Sequence, residues 1–221
     1  MADEVDIRLI PTAIHGRILV REARVGARRG ILVGFHGYME SAAMQMERLT
    51  AIPGAQAWTL VAVQALNRFY QGRSRTVVAG WMTREDRDAA IADNINYVDA
   101  ALDSIPLDDR TAIVYAGFSQ GVAMAYRSAT RGRRPGAGII AIGGDVPPEL
   151  LGDREAVFPR ILLARGADDD WYTQPKLDAD LAVLSARGVN VTHFVYPGTH
   201  EWTADVTAAA GAFLEQLPTG R

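Results

Sequence analysis

The stretch Gly117-Phe118-Ser119-Gln120-Gly121 sets a serine between two glycines, each two residues away. A serine hydroxyl is a weak nucleophile until a base takes its proton, and it must stand clear of the backbone to reach a substrate. Glycines at those two offsets permit a sharp turn with the hydroxyl at its tip. The flanking sequence suits such a turn: the apolar run "TAIVYAG" leads in and the helical segment "QGVAMAYRSA" leads out. In a strand–nucleophile–helix setting the hydroxyl is pushed up from the sheet edge, and free N–H groups of the helix N-terminus point at the same place. Ser119 is the candidate nucleophile; a glycine-rich turn with an idle serine is the alternative.

A base and an acid must then follow Ser119 in the chain, each in a loop after a strand. Of the four histidines, His15 and His36 precede the serine, and His193 alternates within "VTHFVY" as a strand residue does. His200, in "YPGTHEW", follows a strand and a Pro-Gly turn and is the candidate base. For the acid, "ILLARGADDDWYT" offers Asp168, Asp169 and Asp170 directly after an apolar run, with Asp145 in "GGDVPP" as the outside candidate. An oxyanion site needs two backbone N–H groups aimed at the developing charge. Gln120, next to the nucleophile, supplies one, and Tyr38 in "FHGYME" is the expected second.

These loops need a scaffold. Apolar runs at 31–35, 59–63, 111–116, 138–142, 161–164 and 191–196 are continuous rather than alternating, as strands buried on both faces require. Between them lie helical patterns: Ile91, Ile95, Val98 and Leu102 after a start signal at Thr83 and Asp86; Leu177, Leu181 and Leu184 after Thr173; and Val206, Ala210, Phe213 and Leu217 near the end. Segments 5–10 and 16–22 alternate around Pro11 and predict an N-terminal antiparallel hairpin. Strand–helix alternation gives a doubly wound, mostly parallel α/β sheet with its ligand at the carboxyl ends of the strands. At 221 residues the chain fits one domain, 1–221.

Composition narrows the classes further. With no cysteine, disulfides, cysteine nucleophiles and thiolate metal sites are excluded. A net charge of −3 without a long basic run speaks against a nucleic-acid partner, and the arginines at 73, 75, 131, 133 and 134 fit a solvated edge. No apolar run approaches the ~18 residues of a membrane span, and the acidic N-terminus has no apolar leader, so a cytoplasmic location is the expectation.

Taken together, "FHGYMES", "GFSQGVAMA", "RGADDDWYT" and "PGTHEW" resemble, in order and over nearly the whole chain, the phospholipase/carboxylesterase family of small α/β-hydrolases, which includes bacterial carboxylesterases and acyl-protein thioesterases. The resemblance implies an α/β-hydrolase fold without a large cap domain. It puts the nucleophile at Ser119, the histidine at His200 and the acid three residues after Gly166, at Asp169. Arg165 stands where relatives often have histidine, and Trp171-Tyr172 where they often show Val-Pro; these departures are expected to fall on the pocket wall.

The long segment 64–83 suggests a functional loop, and Phe69, Tyr70 and Trp81, with Trp171 and Trp202, are the candidate substrate-binding wall. The leading expectation is a serine carboxylesterase acting on short-to-medium acyl esters without metal or cofactor, as a monomer or homodimer. A lysophospholipase or acyl-protein thioesterase is the alternative. A non-catalytic binding protein on the same fold is the remaining class.

Overall fold

Nine strands and six helices follow one another in a computed structural model, which describes residues 5–24 and 29–217. The first half contains β1 (Arg17–Arg21), β2 (Gly30–Phe35), α1 (Ala42–Ala51), β3 (Trp58–Gln64), β4 (Asn67–Tyr70), β5 (Val77–Gly80) and α2 (Arg87–Asp103). The second contains β6 (Ile113–Phe118), α3 (Gln120–Arg131), β7 (Gly138–Ile142), α4 (Pro148–Leu151), β8 (Arg160–Gly166), α5 (Gln174–Ala186), β9 (Val191–Tyr196) and α6 (Ala204–Glu215). Seven strands form one sheet in the order β1-β3-β2-β6-β7-β8-β9, parallel except for β1. The order reverses direction at β2, between β3 and β6, so a crevice opens beyond the carboxyl ends of β2 and β6.

The continuous apolar runs are explained by two cores, one on each face. Ile31, Val33 and Phe35 of β2 enter one core with Val98 and Leu102 of α2, Val122 and Ala125 of α3, and Leu177 and Leu184 of α5. Their neighbour Leu32 enters the other, with Leu49 of α1 and Val206, Ala210 and Phe213 of α6. Successive strand side chains alternate between faces, and each fully buried Leu, Ile or Val contributes roughly 1.5–3 kcal/mol.

Three local expectations are corrected. Residues 5–16 form no strand, and Arg17–Arg21 pairs antiparallel with β3, so the N-terminal antiparallel element is an edge strand rather than a hairpin. The segment 64–83 is no open loop; it holds the β4–β5 hairpin, bridged to the chain after β2 through Glu40 and Ala79. Asp86 and Thr173 occupy N-cap positions but their side chains do not cap. Asp86 is left-handed (φ 48°), not in the extended conformation from which a cap side chain folds back onto the helix. Side-chain caps come instead from Ser41, which accepts from Met44 N, and Thr203, which accepts from Val206 N. Among the described residues no helix is long and apolar enough to cross a membrane.

Candidate active site

Strand β6 runs to Phe118 and α3 begins at Gln120, leaving Ser119 alone at the turn. Its backbone is left-handed (φ 53°, ψ −121°), a conformation that costs energy in a residue with a side chain and persists only where neighbours enforce it. The enforcement is visible. Ser119 N–H donates to Ile142 O at 2.9 Å. A Cβ on Gly117 would lie 2.4 Å from Gly121 O, and one on Gly121 would lie 2.2 Å from Phe35 O. Both glycines are thus needed for backbone to pass against backbone, which is the physical content of the serine motif.

His200 Nδ1 and Asp169 Oδ2 are 2.9 Å apart, and Asp169 is buried. The other carboxylate oxygen, Oδ1, accepts from Trp171 N and Tyr172 N, each at 2.8 Å. The carboxylate is therefore locked in rotation with one oxygen free for the histidine. The loops carrying the two residues are joined by backbone bonds, Asp168 N to Gly198 O and Ala167 N to Tyr196 O. Gly166 makes that approach possible, since a Cβ there would sit 2.1 Å from Thr199 O. Phe118 packs on the His200 ring at 5.1 Å between centroids, and Gly143, at φ 66°, leaves room beneath it. Ser119 and His200 line the same cavity, together with Tyr38 and Trp171.

On the other side of Ser119 lies the segment that follows β2. Gly37 N–H donates to Glu40 Oε2 and Met39 N–H to Ala79 O, while no described residue accepts from the Tyr38 N–H between them. Gln120 N–H, first in α3, has no partner within the helix. Two free donors thus belong to residues that line a cavity with Ser119. Their support was not foreseen from sequence. Burial works against ionisation of Glu40, yet the paired bonds from Arg48 (2.6 Å each) hold its carboxyl below the ordinary range. Arg48 in turn stacks on Phe118, 4.4 Å from the ring centroid. His36 is fully buried, with Nδ1 facing Gly37 O at 2.7 Å and Nε2 accepting from Ala65 N at 3.1 Å. Burial pushes its pKa down, so it is a neutral structural ring.

Gln120 also acts through its side chain. Oε1 accepts from Trp81 N at 2.7 Å and Nε2 donates to Met82 O at 2.9 Å, tying the segment after β5 to the serine turn. The predicted aromatic wall separates accordingly. Trp171, largely exposed, lines the cavities on both sides of Ser119. Trp81 borders the larger cavity, but its ring is buried and donates Nε1–H to His36 O, so it is mainly a scaffold. Phe69 packs on Tyr38 from the hairpin, Tyr70 is exposed at the hairpin edge, and Trp202 stands against Phe118; none of the three lines either cavity.

Arg165 is also displaced from expectation. It does not border the cavities; it lies buried beneath the acid loop and donates to Tyr172 O, Ala167 O and Asp169 O. Asp180 of α5, likewise missed, accepts from Tyr172 OH at 2.8 Å and Val146 N at 3.1 Å, so it clamps the acid loop to the segment after β7. Burial raises its pKa to about 6. Among the described residues no group of three or more His, Asp or Glu side chains is arranged to hold a metal ion.

The backbone is shared with many solved structures, although no protein-family model and no curated protein sequence matches the chain. The esterase PE8 superposes with a TM-score of 0.76 at 21% identity, covering 93% of this chain and 100% of that one. Acyl-protein thioesterase 2 of Zea mays gives 0.72 at 19% identity, covering 91% and 98%. The Bacillus cereus carboxylesterase gives 0.70 at 15% identity, covering 91% and 94%. With a parallel sheet reversing at β2, helices on both faces and a serine at the turn after β6, the chain has the α/β-hydrolase fold over nearly its whole length.

Proposed function

We propose that the protein is a serine carboxylesterase that hydrolyses short-to-medium acyl esters through an acyl-enzyme. The observation that carries this reading is a rotationally locked, buried Asp169 held against His200, whose ring shares one cavity with a serine at a left-handed turn. In the proposed cycle Ser119 Oγ attacks the ester carbonyl carbon while His200 Nε2 takes the hydroxyl proton. Asp169 accepts from Nδ1–H, fixes that tautomer and stabilises the imidazolium. The carbonyl oxygen, now an oxyanion, receives the Tyr38 and Gln120 N–H groups. Collapse of the tetrahedral intermediate breaks the bond to the alkoxy oxygen, which leaves with the proton from His200. Water then repeats the sequence on the acyl-serine and releases the acid.

A second reading, an acyl-protein thioesterase or lysophospholipase, is favoured by the likeness to the maize thioesterase and by a site open to the surface at Trp171. The two share one chemistry and differ in the leaving group. A fluorophosphonate probe tests both against a non-catalytic protein: the expected outcome is stoichiometric labelling that disappears in Ser119→Ala. Labelling that survives in that variant would place the nucleophile elsewhere. A panel of oxygen esters and thioesters of equal acyl length then separates the readings by kcat/KM.

A further inference from the structure

Resting on the esterase reading, we infer that the acyl group this enzyme accepts carries a carboxylate at its far end, so that the preferred substrates are monoesters of dicarboxylic acids. The inference comes from a charge asymmetry across Ser119. Two cavities meet at Tyr38, Ser119 and Trp171. The smaller, ≈ 460 Å³, contains His200 with Asp168 and Asp170; the larger, ≈ 760 Å³, contains Arg84, Arg87 and Arg127.

Chemistry assigns the two sides. The proton returned by His200 must reach the leaving oxygen, so the alcohol lies in the histidine cavity and the acyl group extends into the larger one. On the alcohol side, Asp168 and Asp170 have no cationic partner among the described residues and repel an anionic leaving group. On the acyl side, Glu149 is the one carboxylate shared by two guanidiniums, at 2.6 Å from Arg127 Nε and 3.2 Å from Arg87 Nη2. Arg84 has no carboxylate partner among the described residues, and the remaining acid, Asp145, faces Lys176 Nζ at 4.0 Å. Three guanidiniums against the two carboxylates Glu149 and Asp145 leave a surplus of one positive charge among the lining residues, and Lys176 behind Asp145 adds to it.

Donor capacity is in surplus as well. Arg127 is 2% exposed, yet its Nη1 points at Met82 Sδ, 3.6 Å away, and Arg87 Nη1 points at the same sulfur from 3.7 Å. A thioether is a weak acceptor, and a carboxylate in the cavity would be a far stronger one. Position on the helix sets the scale. Ala123 and Arg127 lie four residues apart on one stripe of α3, Ser119 stands at the N-cap four residues before Ala123, and all three line the cavity. Eight residues span ~12 Å of axis, and a long side chain leaning toward the N-terminus recovers about half of it, which leaves room for an acyl chain of about four to six carbons.

The test compares mono(4-nitrophenyl) adipate with its methyl ester, an uncharged match in length, and 4-carboxyphenyl butyrate with its own methyl ester. The expected result is a kcat/KM at least tenfold higher for the free adipate than for its methyl ester, expressed mainly in KM and reduced by 0.5 M NaCl. That ratio should fall to within about threefold of unity in the Arg84→Gln/Arg87→Gln variant, whose fold is checked by circular dichroism and fluorophosphonate labelling. Both arginines are exposed at the cavity rim, so either single variant serves if the pair does not fold. A wild-type ratio at or below one, or a ratio unchanged by the substitutions, overturns the inference while leaving the esterase reading intact. A preference for the carboxylated phenol places the anion on the alcohol side and overturns it too. Absence of both ester hydrolysis and labelling would instead defeat the esterase reading itself.

Discussion

Replacing Asp169 with asparagine changes almost no volume, and the structure dictates which way the amide must face. The Oδ1 position receives two backbone N–H donors, from Trp171 and Tyr172, at 2.8 Å each. An amide nitrogen placed there would oppose both and leave two buried donors unmet, at about 1–3 kcal/mol each. The asparagine oxygen therefore takes that position, and its NH2 group faces His200 Nδ1. A donor at that point requires Nδ1 to be the acceptor, which moves the ring proton to Nε2, the nitrogen that should accept the Ser119 proton. The base is then present but wrongly protonated. A tautomer error of this kind lowers kcat by about 10³–10⁴, equivalent to roughly 4–5.5 kcal/mol of barrier, with KM nearly unchanged. The assay is steady-state hydrolysis of 4-nitrophenyl butyrate, normalised to folded protein by circular dichroism. Asp168→Asn and Asp170→Asn serve as controls, because neither carboxylate touches the imidazole, and each should change kcat less than about tenfold. An Asp169→Asn enzyme within tenfold of wild type, or an Asp168→Asn enzyme crippled in its place, would mean that Asp169 does not orient His200.

Other outcomes follow from the supports. Asp180 ionises with difficulty because it is buried; Asp145 adds to the effect, while Tyr172, Val146 N–H and Lys176 oppose it, and the carboxyl is raised to about 6. A group protonated more readily in the folded than in the unfolded chain weakens the fold as pH rises through that interval, here from about 4 to 6, by up to ~3 kcal/mol. Denaturant unfolding of wild type minus Asp180→Asn should show ~2 kcal/mol of that loss between pH 4.5 and 7.5, and parallel curves would contradict it. Gly121→Ala should abolish the serine turn, because its Cβ meets Phe35 O at 2.2 Å and His36 O at 2.7 Å; an unaltered melting temperature and normal labelling would show otherwise. Gln120→Ala keeps the backbone N–H but strands Trp81 N and Met82 O, and should lower unfolding free energy by about 1–3 kcal/mol. A change below 0.5 kcal/mol would mean that water replaces the amide.

The residues of the proposed catalytic site are legible in the sequence because their constraints are local. Two glycines and a serine at fixed offsets, and a glycine three residues before an aspartate, are needed wherever backbone passes this close to backbone. The inner strands were legible because burial on both faces leaves no polar position to interrupt the run. What stayed hidden depends on contacts across the chain. The β4 strand, "NRFY", is mostly exposed and lacks a hydrophobic alternation. Arg165, Asp180 and the Glu40–Arg48 pair look like surface charges in a linear sequence, yet fixed partners let them stay buried or half-buried. The N-terminal segment 5–10 alternates as a strand would, but has no partner strand to pair with among the described residues, and it remains exposed.

The amide of Gln120 stands where a strand's backbone would stand, accepting from one residue of a neighbouring segment and donating to the next. Because that join is made by a side chain at the inner end of the segment, the outer residues 83–87 make no direct bond to the serine turn among the described residues. The cavity rim and the serine turn are thus mechanically separable, although both border the same cavity. Substitutions at 83–87 should therefore alter which ligand is accepted without disturbing the backbone at Ser119.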